Sequence, residues 1–303
     1  MAWPSGKAEA CKASIPQFES GCHLIFNPLI TPVLYIVPSP IGNLKDITYR
    51  AIEVLSNCDY ILCEDTRHSS TLLQHYDIKK PLKSYHQFNE SSRLQSILED
   101  IRNGSEIAII SDGGTPGICD PGAILIKACR EEGLPFTALP GPSAVTTAFS
   151  LWGADSATFQ FLGFFPRKEK EAHHFLLQIL HYDGISLFYE SPQRILDTLR
   201  IFKDFAPERK LVVTRELTKT FEEKVSGTAE EILTHFASHP CKGEFVVLVD
   251  KCSENTFEKL SVEELLDLLQ NTYSLSLSDA IKTAAHIRKE PKQAIYKWVH
   301  SDS

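Results

Sequence analysis

From residue 33 onward, short apolar runs alternate with segments whose apolar positions recur every three or four residues. An unbroken apolar run predicts a buried strand, and the spacing of three or four predicts a helix with one face toward a core. The first half has predicted strands at 33–37, 60–63, 107–110 and 136–139, and predicted helices at 47–55, 91–102, 120–132 and 143–152. This alternation predicts an α/β domain over residues 33–152, with a mostly parallel sheet covered on both faces.

The pattern starts again after residue 152. Apolar or β-rich runs occur at 185–189, 210–214, 221–226 and 244–250, with helical spacing between them at 168–181, 192–202 and 228–238. A second α/β domain is therefore expected over residues 153–251. Beyond it only helical spacing is found, at 263–270, 278–288 and 291–300, which predicts a small C-terminal helical appendage over residues 252–303. Residues 1–32 contain four prolines and follow neither period, so we expect a disordered extension or an artefact of start assignment.

Charge limits the ways in which this chain can bind nucleic acid. Its formal net charge is −8, so any such binding requires a local basic patch. The segment 280–300 provides one, because it has a single acid, Glu290, against five cations: Lys282, Arg288, Lys289, Lys292 and Lys297. These cations predict a compact, locally basic helical appendage, for which a helix-turn-helix is one form and nucleic acid a candidate partner. The alternative is that they only solvate a small capping bundle.

Cysteine spacing and hydropathy indicate the compartment. The eight cysteines form no C-x-x-C pair, which favours reduced packing thiols in a cytoplasmic protein and no metal site. No apolar run approaches the roughly 18 residues of a membrane span, so no membrane partner is expected.

Residues 111–122, Ser-Asp-Gly-Gly-Thr-Pro-Gly-Ile-Cys-Asp-Pro-Gly, follow the predicted strand 107–110 and precede a predicted helix. Glycines at this junction let a ligand approach the backbone, and ligands of open α/β sheets bind at the carboxyl ends of strands. The spacing matches neither the dinucleotide fingerprint nor the phosphate-binding loop, so it gives no support to NAD or ATP. The alternative is a tight turn without a ligand.

Five further segments with glycine, proline or charged residues stand at the ends of predicted strands. They are 38–44 (Pro-Ser-Pro-Ile-Gly-Asn-Leu), 64–68 (Glu-Asp-Thr-Arg-His), 139–144 (Leu-Pro-Gly-Pro-Ser-Ala), 189–192 (Tyr-Glu-Ser-Pro) and 215–219 (Arg-Glu-Leu-Thr-Lys). We expect them to lie with residues 111–122 along one edge of two sheets.

In this order and spacing, the six segments resemble the tetrapyrrole methylase superfamily of S-adenosylmethionine-dependent enzymes. The resemblance covers about residues 33–300 and is greatest to the branch that methylates the ribose 2′-oxygen of a cytidine in 16S rRNA. It implies two α/β domains with a cofactor cleft between them, S-adenosylmethionine as cofactor, 16S rRNA or the 30S subunit as partner, and a homodimer. Two rivals remain: a methylase of cobalamin or siroheme precursors, and a non-catalytic RNA-binding factor for ribosome assembly.

The resemblance also implies which residues bind the cofactor. They are Pro38, Asp112, Gly113, Thr115, Pro116, Pro140, Gly141 and Ser143 from the first domain, with Tyr189 and Gly243 of the Lys242-Gly243-Glu244 turn from the second. Two positions depart from the family. Gly113 stands where alanine is more frequent, which should widen the site. Phe88 stands where His-x-His-Asn-Glu has its second histidine, so a direct catalytic role at that position is doubtful.

Methyl transfer to a hydroxyl requires orientation of both groups and an acceptor for the hydroxyl proton. The candidate acceptors are Glu64, Asp65, Glu90, Glu190, Glu216 and Lys219, and the sequence does not distinguish among them. The candidate RNA contacts outside the tail are Arg67, Arg167, Lys168, Arg194 and Arg215. For Arg67, Arg194 and Arg215 the alternative is ordinary ion pairing. One or two of five aromatic residues are expected to stack on an unpaired base: Tyr85, Phe88, Phe164, Phe165 and Tyr189.

Overall fold

The computed structural model describes residues 34–153, 158–239, 241–251, 257 and 260–301. The expectation for residues 1–32 therefore lies outside the described residues. The first half contains a five-stranded sheet in the order β3-β2-β4-β1-β5, and every pair of neighbours is parallel. Its strands are β1 (Leu34–Ile36), β2 (Tyr60–Cys63), β3 (Leu82–Ser84), β4 (Ile107–Ile109) and β5 (Phe136–Ala138).

Helices cover both faces of this sheet, as the alternating pattern predicted. They are α1 (Tyr49–Asn57), α2 (Thr66–His75), α3 (Glu90–Arg102) and α4 (Ala123–Glu132). Alternate residues of a strand point to opposite faces. Ile61 accordingly packs with Leu55 of α1, and its neighbour Leu62 packs with Ile97 of α3. Strands buried on both sides explain the unbroken apolar runs.

The second half is built on another five-stranded sheet, in the order β6-β7-β10-β8-β9. Only β6 and β7 are parallel, and the other neighbours are antiparallel. Its strands are β6 (Phe159–Phe164), β7 (Ile185–Glu190), β8 (Leu211–Arg215), β9 (Glu223–Gly227) and β10 (Phe245–Val249). Helices α6 (Glu169–His181), α7 (Ile195–Phe205) and α8 (Ala229–Ala237) lie between them in sequence.

The C-terminal end is helical and shares a core with the second half. It contains α9 (Val262–Asp267), a π-helical turn (Leu268–Thr272), α10 (Leu277–Arg288) and α11 (Lys292–Ser301). Buried Leu265, Ile281 and Ile295 belong to the same apolar cluster as Phe202 and Phe236 of the second half. This end of the chain is therefore packed onto the second half through its apolar side chains.

Helix α5 (Ala144–Trp152) connects the halves. Its Val145 and Ala148 pack against Leu187 and Val246 of the second sheet, although the helix follows the first sheet in sequence. The domain boundary near residue 152 stays a prediction. By its packing, α5 belongs with the second sheet, although it precedes that boundary in sequence.

Among the described residues, four elements were not predicted: a 3₁₀ helix at Leu44–Asp46, α2, β3 and β6. The strand predicted at 221–226 lies at Glu223–Gly227. Within the described residues, no helix is both long enough and apolar enough to cross a membrane.

Candidate active site in the cleft between the sheets

A cleft of about 730 Å³ lies between the two halves, at the ends of their strands. All six segments singled out in the sequence contribute to its lining. One lining residue from each is Ile41, His68, Asp112, Ser143, Tyr189 and Lys219. A volume of this size suits a small-molecule ligand, and loops at the carboxyl ends of parallel strands are where such ligands bind.

Hydrogen bonds between the loops that follow β1 and β4 hold the floor of the cleft. Ser39 and Gly114 exchange two backbone hydrogen bonds, each 2.9 Å long. The Ser39 hydroxyl also donates to the carbonyl of Ser111 at 2.7 Å, and the Ser111 hydroxyl donates to the carbonyl of Gly114 at 3.1 Å. Gly114 has a φ of +91°, a conformation that favours glycine. These bonds fix the glycine-containing backbone in one shape before any ligand arrives.

The neighbouring loops are attached to this floor. The Thr115 hydroxyl donates to the carbonyl of Pro142 at 3.3 Å, and His68 Nε2 lies 3.1 Å from the carbonyl oxygen of Asp112. A Cβ at position 141 would lie 2.7 Å from the Cβ of Pro38, so glycine at 141 allows the loops after β1 and β5 to touch. The first half thus presents three mutually braced loops.

The second half supplies a charged triad at the opposite wall. Lys219 Nζ lies 2.9 Å from Glu216 Oε1 and 2.9 Å from Glu244 Oε2. Burial by itself would lower the pKa of Lys219, but the hydrogen bonds to Glu244 and Glu216 outweigh it and raise that pKa. Lys219 therefore stays an ammonium ion and bridges two loops. Glu216 and Thr218 have positive φ values of 52° and 66°, so this segment is strained and needs such a bridge.

The two halves touch directly at Gly42. A Cβ there would lie 2.8 Å from Thr218 Oγ1 and 2.9 Å from the carbonyl oxygen of Leu217. The neighbouring backbone N–H of Asn43 donates to Thr218 Oγ1 at 3.1 Å. Because residue 42 has no side chain, the loop after β1 can lie this close to the segment 217–219 of the second half.

The predicted cofactor residues fall into two groups. Six line the cleft: Asp112, Gly113, Thr115, Ser143, Tyr189 and Gly243. The other four, Pro38, Pro116, Pro140 and Gly141, are outside its lining and belong to the first-half loops that carry Asp112, Gly113, Thr115 and Ser143. The Tyr189 ring packs against Phe161 and Phe164, with centroids 4.8 and 5.3 Å away. Burial raises the pKa of its hydroxyl, which stays protonated.

The predicted proton acceptors occupy different surroundings. Glu190 lines the cleft, but its carboxylate accepts hydrogen bonds from the Ser191 N–H at 2.7 Å and the Thr198 hydroxyl at 2.6 Å. Arg194 lies 3.5 Å from the same carboxylate. This side chain is fully buried and its acceptor capacity is used within the second half.

Glu216 is outside the cleft lining, and its surroundings hold it ionised. Burial alone would raise the pKa of Glu216, but hydrogen bonds from Lys219 and the Glu244 N–H outweigh burial and lower it. Asp65 caps α2 and pairs with Arg67, whose hydrogen bonds lower the pKa of Asp65 to about 2. Glu64 and Glu90 also lie outside the lining. Burial and the nearby Asp112 raise the pKa of Glu64.

Several predicted RNA contacts are engaged inside the protein. Arg194 donates to the carbonyls of Phe165 and Pro166 at 2.8 and 2.6 Å, and Arg215 pairs with Glu223 at 2.9 Å. Arg288 pairs with Glu290 and donates to the carbonyl of Leu260. These contacts favour structural roles for these three arginines.

The remaining predicted RNA contacts have side chains at the surface. They are Arg67, Arg167, Lys168, Lys282, Lys289, Lys292 and Lys297. Arg67 pairs with Asp65, Lys168 with Glu171, and Lys282 with Asp279.

Burial separates the five aromatic candidates. Tyr85 and Phe165 are 1% exposed, so a stacking role for either is wrong. Phe164 is 57% exposed at the cleft, whereas Phe88 is 87% exposed and lies outside the cleft lining.

Three acidic residues of the cleft were absent from the predicted acceptors: Asp112, Asp120 and Glu244. Glu244 follows the turn at Gly243, and Asp120 lies in the loop before α4. Burial, together with the negative charges of Glu64, Asp112 and Glu244, raises the pKa of Asp120 to about 6, although a hydrogen bond from Ser111 opposes the change. The sequence did not place Asp120 among the proton acceptors, because nothing local indicates that Glu64 and Glu244, from two other segments, lie near it together with Asp112 of its own loop.

Known proteins resemble this chain over most of its length. The model of the family described as tetrapyrrole (corrin/porphyrin) methylases matches residues 33–233. A protein of Vibrio cholerae serotype O1 named ribosomal RNA small subunit methyltransferase I is 42% identical over 270 residues, covering 88% of this chain and 94% of the relative. A Haemophilus influenzae protein of the same name is 40% identical over 273 residues, covering 89% and 96%.

Solved structures share the fold at lower identity. A cobalt precorrin-4 methyltransferase superposes with a TM-score of 0.55 at 17% identity, over 73% of this chain and 98% of the other. A diphthine synthase superposes with a TM-score of 0.57 at 13% identity, over 72% and 89%. These likenesses show a common two-sheet architecture.

Proposed function

This chain belongs to the tetrapyrrole (corrin/porphyrin) methylase family, and we propose that it methylates the ribose 2′-oxygen of a cytidine in 16S rRNA, with S-adenosylmethionine as donor. The relatives named ribosomal RNA small subunit methyltransferase I support rRNA of the small subunit as the substrate. Their names do not state the methylated atom. The 2′-oxygen and the cytidine rest on the resemblance of the loop segments.

The observation that carries the proposal is the cleft formed by all six segments. Its volume of about 730 Å³ is in the range of small-molecule sites. A Cβ on Gly113 would lie 3.6 Å from the carbonyl oxygen of Pro40, so glycine leaves room beside this backbone for a ligand. Asp112 and Glu244 bring negative charge to the lining, which is complementary to a cationic cofactor. The residues present therefore fit S-adenosylmethionine, which supplies a methyl group activated by a positively charged sulfur.

We assign cofactor binding to both walls. Asp112, Gly113, Thr115 and Ser143 hold it from the first half, and Tyr189 and Gly243 from the second. Pro38, Pro116, Pro140 and Gly141 support the first-half residues by shaping their loops. The protein contributes orientation and exclusion of water, because a displacement at carbon depends chiefly on alignment of the reacting atoms.

RNA binding is assigned to exposed cations. Arg67, Arg167 and Lys168 belong to the first half and the loop before α6, and Lys282, Lys289, Lys292 and Lys297 belong to α10, α11 and the turn between them. Cations of this kind bind phosphates without reading sequence. Selection of one cytidine then depends on the cleft.

Further parts of the proposal follow from the family resemblance. The protein acts as a homodimer in the cytoplasm, where the small ribosomal subunit is assembled. Its halves correspond to residues 33–152 and 153–251, followed by a helical, helix-turn-helix-like segment at 252–303.

The test is 16S rRNA from a strain in which this gene is deleted. Mass spectrometry of nuclease fragments is expected to show one missing ribose methyl on a cytidine, restored by the wild-type gene and not by a Gly113→Val gene. The 2′-O-methyl group also protects the adjacent phosphodiester from alkaline hydrolysis, which identifies the atom. A missing methyl located on a base would contradict the 2′-oxygen assignment.

A reconstitution separates the remaining alternatives. Purified protein and labelled S-adenosylmethionine are incubated with 30S subunits, with naked 16S rRNA and with a tetrapyrrole precursor. Label in RNA alone is expected. Label in the tetrapyrrole alone would indicate a corrin or porphyrin methylase, and RNA binding without cofactor binding would indicate an assembly factor.

A further inference from the structure

The reaction requires a group that accepts the proton of the target hydroxyl, and the cleft contains few that can. Four carboxylates line it: Asp112, Asp120, Glu190 and Glu244. Glu190 is fully buried, and both of its oxygens accept hydrogen bonds from its own half. Glu244 is paired with Lys219 at 2.9 Å. These two acids already have partners that stabilise their charge.

The other titratable groups of the cleft are unsuited to the same role. Lys219 is kept as an ammonium ion by Glu216 and Glu244, and the Tyr189 hydroxyl stays protonated. His68 lies with Nε2 at 3.1 Å from the carbonyl oxygen of Asp112, where it serves to brace the loop. Asp112 is exposed and belongs to the loop after β4, where it is assigned to cofactor binding.

Asp120 differs from all of these in its surroundings. It is half-buried in the cleft, and within the described part of the chain it forms no ion pair. Its electrostatic neighbours come from both halves: Glu64 at the end of β2, Asp112 in its own loop, and Glu244 before β10. Asp120 lines the same cleft as Tyr189 and Glu244 of the second half.

We propose that Asp120 is the catalytic residue that accepts the proton of the ribose hydroxyl. This inference rests on the proposed function. The ribose oxygen forms a bond to the methyl carbon while the carbon–sulfur bond breaks, and the sulfur keeps the electron pair of that bond. The hydroxyl proton passes to the Asp120 carboxylate, and water later removes it.

The environment gives this carboxylate the properties of an effective base. A general base works best when its pKa lies near the working pH. Burial and the charges of Glu64, Asp112 and Glu244 raise the pKa of Asp120 to about 6. Cys119, the residue before it, and Tyr189 stay protonated because burial raises their pKa values. Asp120 is therefore ionised at neutral pH and still basic enough to take a proton.

The experiment compares Asp120→Asn with the wild type. Single-turnover methylation of 30S subunits is measured from pH 5 to 8, and S-adenosylmethionine affinity is measured by calorimetry. The wild-type rate should rise through about pH 6 and reach a plateau. Asp120→Asn should lower the rate by about a hundredfold or more, abolish that rise and leave the affinity within about threefold. Asp112→Asn serves as the comparison and should weaken cofactor affinity instead.

Two results would overturn the assignment. One is an Asp120→Asn rate and pH profile like those of the wild type. The other is a loss of cofactor affinity as large as the loss of rate, which would make Asp120 a cofactor ligand. The Asp120 carboxyl can also be titrated directly by carbon-13 NMR without cofactor or RNA, and a midpoint near 4 would count against the role. If the wild type methylates neither 30S subunits nor naked 16S rRNA, the proposed function itself is refuted. The wild-type measurement therefore separates that failure from failure of the Asp120 assignment.

Discussion

Asp120 and Glu190 are acids of one cleft whose surroundings give them different chemistry. Glu190 accepts hydrogen bonds at both oxygens, from the Ser191 N–H and the Thr198 hydroxyl, so its carboxylate fixes the start of α7. Asp120 has other acids as its neighbours, and its pKa is raised to about 6. A carboxylate with satisfied acceptors is structural, whereas one with a raised pKa in a cleft is a candidate for catalysis.

The raised pKa of Asp120 has a consequence for stability that requires no activity assay. A carboxyl whose folded pKa lies above its unfolded value of 3.8 favours folding below that value and loses this contribution as pH rises through about 6. Asp120→Asn removes the ionisation. Relative to the wild type, its free energy of unfolding should therefore increase between pH 4 and 7, by about 1–2 kcal/mol after allowance for partial exposure.

Urea unfolding at a series of pH values measures this difference. The matched control is Glu131→Gln, an exposed acid in an ion pair on α4, for which no such increase is expected. A difference between Asp120→Asn and the wild type that does not change with pH would show that the folded and unfolded pKa values are the same.

Substitutions at Gly113 test the assignment of the loop after β4 to cofactor binding. A Cβ at this position meets its nearest atoms at 3.6 and 3.7 Å, which is ordinary contact, so alanine fits. The two additional methyl groups of valine would occupy the space beside the backbone. We expect Gly113→Val to weaken S-adenosylmethionine binding roughly a hundredfold, about 3 kcal/mol, and Gly113→Ala to bind within a few fold of the wild type. Calorimetry and circular dichroism measure affinity and fold, and equal affinity of the three proteins would refute the site.

For single residues, the sequence predicted where the ligand loops lie, but not the protonation or the ion pairs of their side chains. Glycine and proline after an apolar run identify a ligand loop from local information alone. Asp120 acquires its pKa from Glu64 and Glu244, which are distant in sequence. Likewise, Arg194 and Arg215 resemble RNA contacts until the fold pairs them with Glu190 and Glu223.

Among the elements, α10 and α11 combine a buried face with an exposed basic face. Ile281, Ala284 and Ile295 are buried in the core of the second half, so deletion of these helices would expose that core. Lys292 and Lys297 are exposed on α11 and can be changed without touching it.

Charge reversal on α11 is therefore the cleaner test of RNA binding. Lys292→Glu/Lys297→Glu should raise the KM for 30S subunits about tenfold. The salt dependence of KM should also become smaller, because a protein with fewer phosphate contacts releases fewer counterions when it binds. Cofactor affinity should not change. Lys79→Glu/Lys127→Glu alters the net charge equally on the first half and is expected to behave like the wild type. Equal effects of the two pairs would mean that only overall charge matters.

The elements that were predicted and those that were missed differ in length and burial. Strands buried on both faces, such as β2 and β4, give unbroken apolar runs that local pattern detects. Helix α2 is mostly polar, and β3 has three half-buried residues, so neither gives a clear period. The antiparallel order of the second sheet follows from pairing between distant strands, which alternation with helices does not reveal.

For the whole molecule, the cleft exists because two separately built halves are held at a fixed separation. Helix α5 follows the first sheet but packs on the second, so it fixes one side of this arrangement. The contact of Gly42 with Leu217 and Thr218 fixes the other. No local pattern could have indicated this role for Gly42, because its partners lie about 175 residues away in sequence.

Gly42→Ala should consequently act on the assembly of the cleft. Its Cβ would lie 2.8 Å from Thr218 Oγ1 and 2.9 Å from the carbonyl oxygen of Leu217, so the segment 217–219 must move away. We expect a loss of about 1–3 kcal/mol in the free energy of unfolding, from overpacking and the lost Asn43–Thr218 hydrogen bond. Cofactor affinity should fall by tenfold or more, because Lys219 and Glu244 move with that segment.

Gly113→Ala is the matched control, since it is also a glycine-to-alanine change in a loop of the first half but has ordinary space for the methyl group. Urea unfolding and calorimetry are applied to both variants. If the two halves were held apart by α5 alone, Gly42→Ala would match Gly113→Ala in both measurements. A loss of stability and of affinity in Gly42→Ala alone would show that the close approach at Gly42 determines the width of the cleft.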